Sequence, residues 1–338
     1  MLSYNIKFAM KKAWTACLIS MFLFWTLPTQ VFALQGSVLG IHILNPSEAQ
    51  EAQKLLQPDP STDDFHYLTI PLTLDDLHKQ DEWQSFLDFA KKEKLIPIVR
   101  LATRVENGVW KQPTKKDIVD EVTFLSSLNW PVDEHYIIVF NEVNHADEWG
   151  NQIDPEGYVE ALKFTSDWAK SEEKNYQILP AAMDLATPNT GSSREAFAYL
   201  DQMYQYDPNI FSYIDFWNSH SYPNPGFSAA ATDTGKKSIS GFITELNYLK
   251  DKTGREYRTF ITETGWVDNA ATDSSLESYY QYAVDHVWSD PRVVAVTPFV
   301  LQGDPGPFSG FTFINRSGQP THQYIVYQNV IRNLTERK

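Results

Sequence analysis

The chain has 338 residues, of which 42% are hydrophobic and 14% aromatic, so it holds enough apolar material for one large core. Its formal net charge is -15, and a protein with that field repels a phosphate backbone. These values exclude nucleic acid as an expected partner but are compatible with a neutral polymer such as a polysaccharide.

The N-terminal segment has the pattern of an export signal. Three lysines, Lys7, Lys11 and Lys12, precede an apolar run over residues 13–27, and a small-residue cleavage pattern ends at Ala33. We therefore predict a signal peptide over residues 1–33 and a secreted or extracytoplasmic protein. The alternative is an uncleaved membrane anchor, although the apolar run is short for a span of about 20 residues.

From residue 34 onward, short apolar runs alternate with longer amphipathic stretches. The apolar runs predict strands over residues 37–43, 65–70, 96–101, 136–140, 177–182, 214–219, 257–262 and 293–299. The amphipathic stretches predict helices after Ser47 and over residues 74–94, 115–128, 155–173, 194–205, 238–252, 274–288 and 321–334. Eight apolar strands that alternate with helices indicate a parallel sheet closed into a barrel. We predict an α/β fold, a single-domain (β/α)8 TIM barrel over residues 34–338.

An open, doubly wound parallel sheet is the alternative fold. Its nucleotide-binding version requires a glycine-rich phosphate loop after the first strand, and the sequence has none there. No Pro/Gly/Ser-rich linker divides the chain, which favours one domain. Within the predicted barrel, Asp154 and Pro155 have the residue types of a helix N-cap and first turn.

Two glutamates stand where predicted strands end. Glu142 follows the fourth strand and Glu263 follows the seventh. In a TIM barrel the C-terminal ends of the strands carry the chemistry. A buried carboxylate is costly unless it is paired or used, and one such residue alone is readily explained by a neighbouring arginine or backbone N–H. Two of them at the same end of one barrel favour a catalytic pair.

A pair of carboxyl groups is the requirement of glycoside hydrolysis. A retaining glycosidase protonates the leaving oxygen with one carboxylic acid and attacks the anomeric carbon with a second, ionised carboxylate about 5–5.5 Å away. Like charges that close raise the pKa of one member, which keeps that member protonated.

The order of motifs along the barrel resembles a known family. Asn141-Glu142 ends the fourth strand, His220-Ser221-Tyr222 the sixth, and Thr262-Glu263-Thr264-Gly265-Trp266 the seventh. Together they resemble the clan-A retaining glycoside hydrolases, which are cellulase-like (β/α)8-barrel glycosidases, over roughly residues 36 to 335. The resemblance implies that Glu142 is the acid/base and Glu263 the nucleophile.

The resemblance also implies roles for the neighbouring polar residues. Asn141 would hydrogen-bond the sugar 2-hydroxyl, Tyr222 would orient Glu263, and His220 would line the cleft. Arg100, at the end of the third strand, would help to hold the nucleophile ionised, although the family's usual arginine lies on another strand.

The aromatic part of the site departs from the family pattern. Many members stack a sugar on a tryptophan after the eighth strand, where this chain has Phe299. We expect Phe299 to take that place, or an exposed Trp149 or Trp266 to supply the platform from a loop. His42, at the end of the first strand, completes the predicted substrate-binding set, and Val143 replaces the proline that often follows the Asn-Glu pair.

These observations predict a secreted retaining glycosidase that acts on β-linked carbohydrate as a monomer, without metal or other cofactor. The loop residues His145, Asp147 and Glu148 are interpreted as solvated because their spacing matches no standard metal site. Two alternatives remain: a catalytically inactive carbohydrate-binding protein on a barrel scaffold, and a metal-dependent barrel hydrolase.

Overall fold

The computed structural model describes residues 36–57, 64–172, 174–303, 306 and 308–337. The predicted signal peptide, residues 1–33, lies outside these residues and stays a prediction. No helix in the described part of the chain combines the length and the apolar character needed to cross a membrane.

Eight parallel strands form the centre of the molecule. They are β1 Gly36–His42, β2 Phe65–Thr73, β3 Leu95–Ala102, β4 His135–Val139, β5 Tyr176–Pro180, β6 Trp217–His220, β7 Thr259–Glu263 and β8 Val293–Val296. Their order in the sheet is β5-β4-β3-β2-β1-β8-β7-β6. The two strands at the ends of this order, β5 and β6, are joined by a hydrogen bond from the Asn218 side chain to the Pro180 carbonyl at 3.0 Å. The predicted (β/α)8 TIM barrel is therefore confirmed as a nearly closed barrel.

Eight helices cover the outside of the strands. They are α1 Ala49–Leu56, α2 Gln80–Lys92, α3 Lys115–Ser126, α4 Pro155–Ser171, α5 Ala196–Tyr206, α6 Gly241–Thr253, α7 Leu276–Tyr282 and α8 His322–Thr335. The predicted cap of α4 is confirmed, because Asp154 Oδ1 accepts from the Gly157 N–H at 2.9 Å. The helix expected after Ser47 begins at Ala49, because a 3-10 turn, Pro46–Glu48, precedes it.

Apolar side chains fill the N-terminal end of the barrel interior. A buried cluster, centred on Phe260, packs Tyr67 and Tyr136 against it with ring centroids 6.0 and 4.9 Å away. These residues lie near the N-terminal ends of their strands. Alternate residues of β3, Ile96 and then Ile98, belong to the same cluster. The two-residue repeat of a strand therefore carries Arg100 to the open, C-terminal end of the interior.

Candidate active site

A cavity of about 480 Å³ opens at the C-terminal ends of the strands. Seven of the ten predicted site residues line it: Arg100, Asn141, Glu142, Trp149, Tyr222, Glu263 and Phe299. His42, His220 and Trp266 are not among its lining residues. This is the face on which TIM-barrel active sites are found.

The chain bends sharply where β4 ends. Phe140 has a φ of 68° and Glu142 a φ of 27°, values in the left-handed region that residues other than glycine rarely adopt. Val143 is fully buried immediately afterwards. The bend brings both Asn141 and Glu142 to the cavity, which a straight strand with alternating side chains would not do.

Glu263, the last residue of β7, is held by two donors. Arg100 Nη1 donates to its Oε1 at 2.8 Å, and the Tyr222 hydroxyl donates to its Oε2 at 3.2 Å. Burial alone would raise the pKa of Glu263. The charge of His220, followed by the charge and the hydrogen bond of Arg100, outweighs burial and holds this pKa well below its ordinary value. Glu263 is therefore ionised at neutral pH.

His220 lies between the two glutamates, behind the cavity wall. Its Nδ1 is 2.7 Å from Glu142 Oε1 and 3.7 Å from Glu263 Oε2. Burial lowers the pKa of His220, but the charge of Glu263 and the hydrogen bond to Glu142 more than compensate, so the net shift is upward. His220 was expected to line the cleft. With 2% of its surface exposed, it instead supports Glu142 from behind and is not a lining residue.

Glu142, His220 and Glu263 each offer a ligand atom, and these three atoms lie within 4.8 Å of one another. Such a group could in principle hold a metal ion. However, the Arg100 guanidinium is already bonded to Glu263 at 2.8 Å. A cation at the same carboxylate would be repelled by that charge, which favours an acid/base interpretation of the cluster.

His42 also lies beneath the cavity and does not line it. It is fully buried, its Nδ1 is 3.3 Å from the Thr262 carbonyl, and its ring meets Phe299 edge-on at 5.2 Å. Burial lowers the pKa of His42 to about 3, so the ring is neutral and Nδ1–H donates to Thr262. His42 is therefore not placed to contact substrate as predicted; it packs beneath Phe299, and its Nδ1 lies 3.8 Å from Glu263 Oε1.

Neither loop tryptophan is the exposed platform expected from the sequence. Trp266 is fully buried, packs on Tyr280 at 5.2 Å, and donates from its indole N–H to the Ala229 carbonyl at 2.8 Å. Trp149 is 2% exposed and packs on Tyr158 at 5.5 Å, so it forms part of the cavity wall without offering a free ring face. Both loops fold back onto the barrel because an indole gains more from burial than from solvent.

A hairpin that the sequence analysis missed supplies a different tryptophan. Val105–Glu106 pairs with Val109–Trp110 in antiparallel fashion, and Trp110 lines the cavity. Asn107 and Gly108 both have positive φ, as a two-residue hairpin turn requires. The Asn-Gly pair between alternating apolar residues was the sequence feature that could have revealed it.

The cavity also contains polar and aromatic residues that were not predicted. Glu148, interpreted from the sequence as part of a solvated loop, is half-buried in the wall, and Asp184 lies nearby. A cluster of phenylalanines forms another wall: Phe227, Phe308 and Phe311 join Phe299. These residues come from loops, and only the fold brings them to one place.

Comparison with known proteins assigns the family. A family model, described as the glycosyl hydrolase catalytic core, matches residues 107–327, more than half of the chain, and the protein belongs to this family. The resemblance to clan-A glycoside hydrolases is thereby confirmed. A comparison with curated proteins finds no significant match.

Solved structures with a similar fold come from several glycosidase families. A family 39 glycoside hydrolase from Bacteroides cellulosilyticus WH2 matches with a TM-score of 0.60 and 15% identity over 90% of this chain; this chain spans 65% of its length. A GH5_18 structure from Streptomyces cattleya, in complex with GlcNAc, matches with a TM-score of 0.60 and 12% identity; the match covers 90% of this chain and 82% of the other. A GH128 endo-beta-1,3-glucanase from Pseudomonas viridiflava matches with a TM-score of 0.54 and 14% identity; the match covers 86% of this chain and 96% of the other. At these identities the likeness shows the fold.

Proposed function

We propose that this protein is a retaining glycosidase that cleaves β-linked glycosides or polysaccharides by double displacement, with Glu142 as acid/base and Glu263 as nucleophile. One observation carries the proposal: carboxylate oxygens of the two residues lie within 4.8 Å of each other in one cavity. Retaining enzymes hold their carboxyls about 5–5.5 Å apart, whereas inverting enzymes need about 6.5–9.5 Å to admit a water between them. The short spacing supports retention.

The ionised state of Glu263 fits the role of nucleophile in the first of two steps. Ionised Glu263 attacks the anomeric carbon while Glu142 gives its proton to the leaving oxygen, which forms a glycosyl ester and releases the first product. Glu142, now a carboxylate, then takes a proton from water, and the resulting attack on the same carbon releases Glu263 and the sugar. Arg100 and Tyr222 each donate to one oxygen of Glu263, so its orientation is fixed before the substrate arrives.

Asn141 is placed to recognise the sugar beside the reacting bond. Its Oδ1 accepts from Arg100 Nη1 at 2.7 Å, so its amide N–H groups are directed elsewhere, and the residue lines the cavity. We propose that one of these N–H groups donates to the 2-hydroxyl of the substrate. Phe299 and Trp110 supply the apolar surfaces on which sugar rings stack.

The test is a screen against β-linked polysaccharides and aryl β-glycosides with three variants. Glu142→Gln and Glu263→Gln should each lower kcat by orders of magnitude, about a thousandfold or more. Glu263→Ala should regain turnover with azide and give a product of inverted stereochemistry, because azide takes the place of the missing nucleophile. Undiminished activity of Glu263→Ala would contradict the proposal. Glycan binding without hydrolysis would favour the carbohydrate-binding alternative, and loss of activity on exhaustive chelation the metal-dependent one.

We also propose that residues 1–33 direct export and are removed, and that the mature protein acts as a monomer on carbohydrate outside the cytoplasm. N-terminal sequencing of the exported protein should then begin at Leu34, and its mass in solution should be that of one chain. An N-terminus at Met1 on membrane-bound protein would indicate the uncleaved anchor instead.

A further inference from the structure

A carboxyl group that the mechanism above does not use lies in the same cavity. Asp184, in the loop that follows β5, lines the space shared by Glu142 and Glu263. Its side chain is 31% exposed. A partly buried carboxylate is costly unless hydrogen-bond donors surround it, so the partners of Asp184 indicate what it can still bind.

The side chain of Asp184 is held in one orientation by two partners on the protein. Its Oδ2 lies 2.9 Å from His145 Nε2, and its Oδ1 accepts from the Ala186 N–H at 2.8 Å. Burial would raise the pKa of Asp184, but the hydrogen bonds from His145 and Ala186 outweigh it and lower this pKa. Asp184 is therefore ionised at neutral pH. A carboxylate has about four acceptor positions, so Asp184 can still accept from a ligand hydroxyl.

The backbone of Asp184 is fixed relative to the proposed acid/base. Asn144, which is fully buried and follows closely after Glu142, accepts at its Oδ1 from the Asp184 N–H at 3.1 Å. Its amide nitrogen donates to the carbonyls of Asp184 and Arg194, each at 3.0 Å. Asp184 also forms a parallel bridge with His220, which lies between the two glutamates. The carboxylate therefore has a set position beside the proposed catalytic pair.

The order of the strands places Asp184 on the side of the leaving group. In a double displacement the nucleophile attacks the face of the anomeric carbon opposite the leaving oxygen, and the acid lies at that oxygen. The aglycone, which is the part that leaves, therefore extends from Glu142. On one flank of β4 lies β3, whose Arg100 bonds Asn141, the residue proposed to meet the 2-hydroxyl of the glycone. Asp184 follows β5, on the other flank, and faces the part of the cavity that is left for the aglycone.

We propose that Asp184 accepts a hydrogen bond from a hydroxyl of the departing sugar, so that the enzyme favours substrates whose aglycone is itself a carbohydrate. This inference rests on the proposed glycosidase function and narrows its substrates to β-linked oligosaccharides or polysaccharides rather than glycosides of apolar alcohols. A sugar hydroxyl replaces the water that the carboxylate loses when the substrate binds. An apolar aglycone covers the same carboxylate without supplying a donor, and that loss of hydration is costly.

The experiment compares two substrates with the same glycone: a β-linked oligosaccharide that the wild type cleaves and the corresponding trifluoroethyl β-glycoside. Trifluoroethanol is about as acidic as a sugar hydroxyl, so both substrates need similar help from the acid, but the trifluoroethyl group carries no free hydroxyl. Asp184→Ala should lose about ten- to a hundredfold in kcat/KM on the oligosaccharide and at most about threefold on the trifluoroethyl glycoside. Asp184→Asn keeps the shape of the side chain and one acceptor oxygen, and it should show a smaller loss confined to the oligosaccharide.

Asp215→Asn is the matched control and should cleave both substrates as the wild type does. Asp215 is also a half-buried carboxylate that accepts from one backbone N–H, that of Ile178 at 2.8 Å, and pairs with one basic side chain, Lys170 at 2.7 Å. It precedes β6, at the end of that strand opposite the cavity, and is not among the residues that line the cavity.

Two results would overturn the inference. One is an equal loss on both substrates in Asp184→Ala and Asp184→Asn, which indicates that Asp184 supports the reacting pair or the fold instead of the departing sugar. The other is full activity of both variants on the oligosaccharide. Failure of the proposed function has a different signature, because the wild type would then cleave neither substrate or Glu263→Ala would retain full activity.

Discussion

Arg100 is a charged group that bonds directly to Glu263, the proposed nucleophile, and helps to keep it ionised. It donates to Glu263 at 2.8 Å, and its charge opposes the burial that would otherwise raise the pKa of that carboxyl. Arg100→Met removes this charge, so burial should raise the pKa of Glu263. The acid limb of the kcat/KM profile should then move up by about one to three pH units. Arg104→Met, an exposed arginine paired with Asp75, is the control. An acid limb that stays in place in Arg100→Met would contradict this account.

At the residue scale, the position of a polar residue directly after a predicted strand was the signal that identified candidate site residues. Glu142 and Glu263 were found because a carboxylate directly after an apolar strand is unusual, and the structure brings them to one cavity. Glu148 was not found, because an acidic residue in an acidic loop has the pattern of a solvated one. Its burial follows from Trp149 turning inward, a tertiary contact that the sequence does not display.

At the scale of the element, substitutions of Trp266 and Trp110 distinguish a loop that stabilises the barrel from a loop that binds substrate. Trp266→Ala empties a fully buried site and should lower the free energy of unfolding by about 3–5 kcal/mol. Trp110→Ala removes a cavity-lining ring from the hairpin and should raise KM about tenfold, with little change in kcat or stability. Chemical denaturation and steady-state kinetics on both variants check this. If Trp266→Ala instead raised KM without loss of stability, and Trp110→Ala lowered stability, Trp266 would be the sugar platform expected from the sequence.

A buried carboxyl couples α6 to β6. Glu245 is fully buried and accepts from the Ser219 hydroxyl, and burial raises its pKa from near 4.5 to about 7. In the folded state it is therefore neutral at acidic pH. Its contribution to stability is complete below about pH 4.5 and is lost as pH rises through 7.

Glu245→Gln should remove this pH dependence. Between pH 5 and 8 the wild type should lose up to about 3 kcal/mol of unfolding free energy from this group, and the variant should lose correspondingly less. Urea denaturation at both pH values measures the difference, with the exposed helix residue Asp251→Asn as control. An identical pH dependence in wild type and Glu245→Gln would show that Glu245 is not neutral in the folded state.

Element positions were predictable and element ends were less so. Apolar runs located all eight strands because parallel barrel strands are buried on both faces. The sixth strand was expected from residue 214 but begins at Trp217, after a 3-10 turn, Ile210–Tyr213. The helix expected over 274–288 ends its α-helical part at Tyr282 and continues as a π turn, Ala283–Val287. Such local changes depend on packing that the apolar pattern does not encode.

For the whole molecule, the barrel explains why the fold and the proposed catalytic pair could be predicted from the sequence and the rest of the cleft could not. The strands repeat a simple pattern and present their ends at one face. The walls come from separate loops, such as the hairpin at Trp110 and the segment around Phe308, that meet only after folding. The three similar structures described above share 12–15% identity with this chain, which agrees with a fixed scaffold and variable loops.

The central claim is that Glu263 forms a covalent bond to the sugar, and trapping that bond tests it most directly. An activated 2-deoxy-2-fluoro β-glycoside slows both steps, the second more than the first, so the intermediate accumulates. The account predicts a mass increase of one fluorosugar per chain, located on the peptide that contains Glu263 and absent from Glu263→Gln. Turnover of β-glycosides to products of inverted configuration, with no adduct on Glu263, would contradict it.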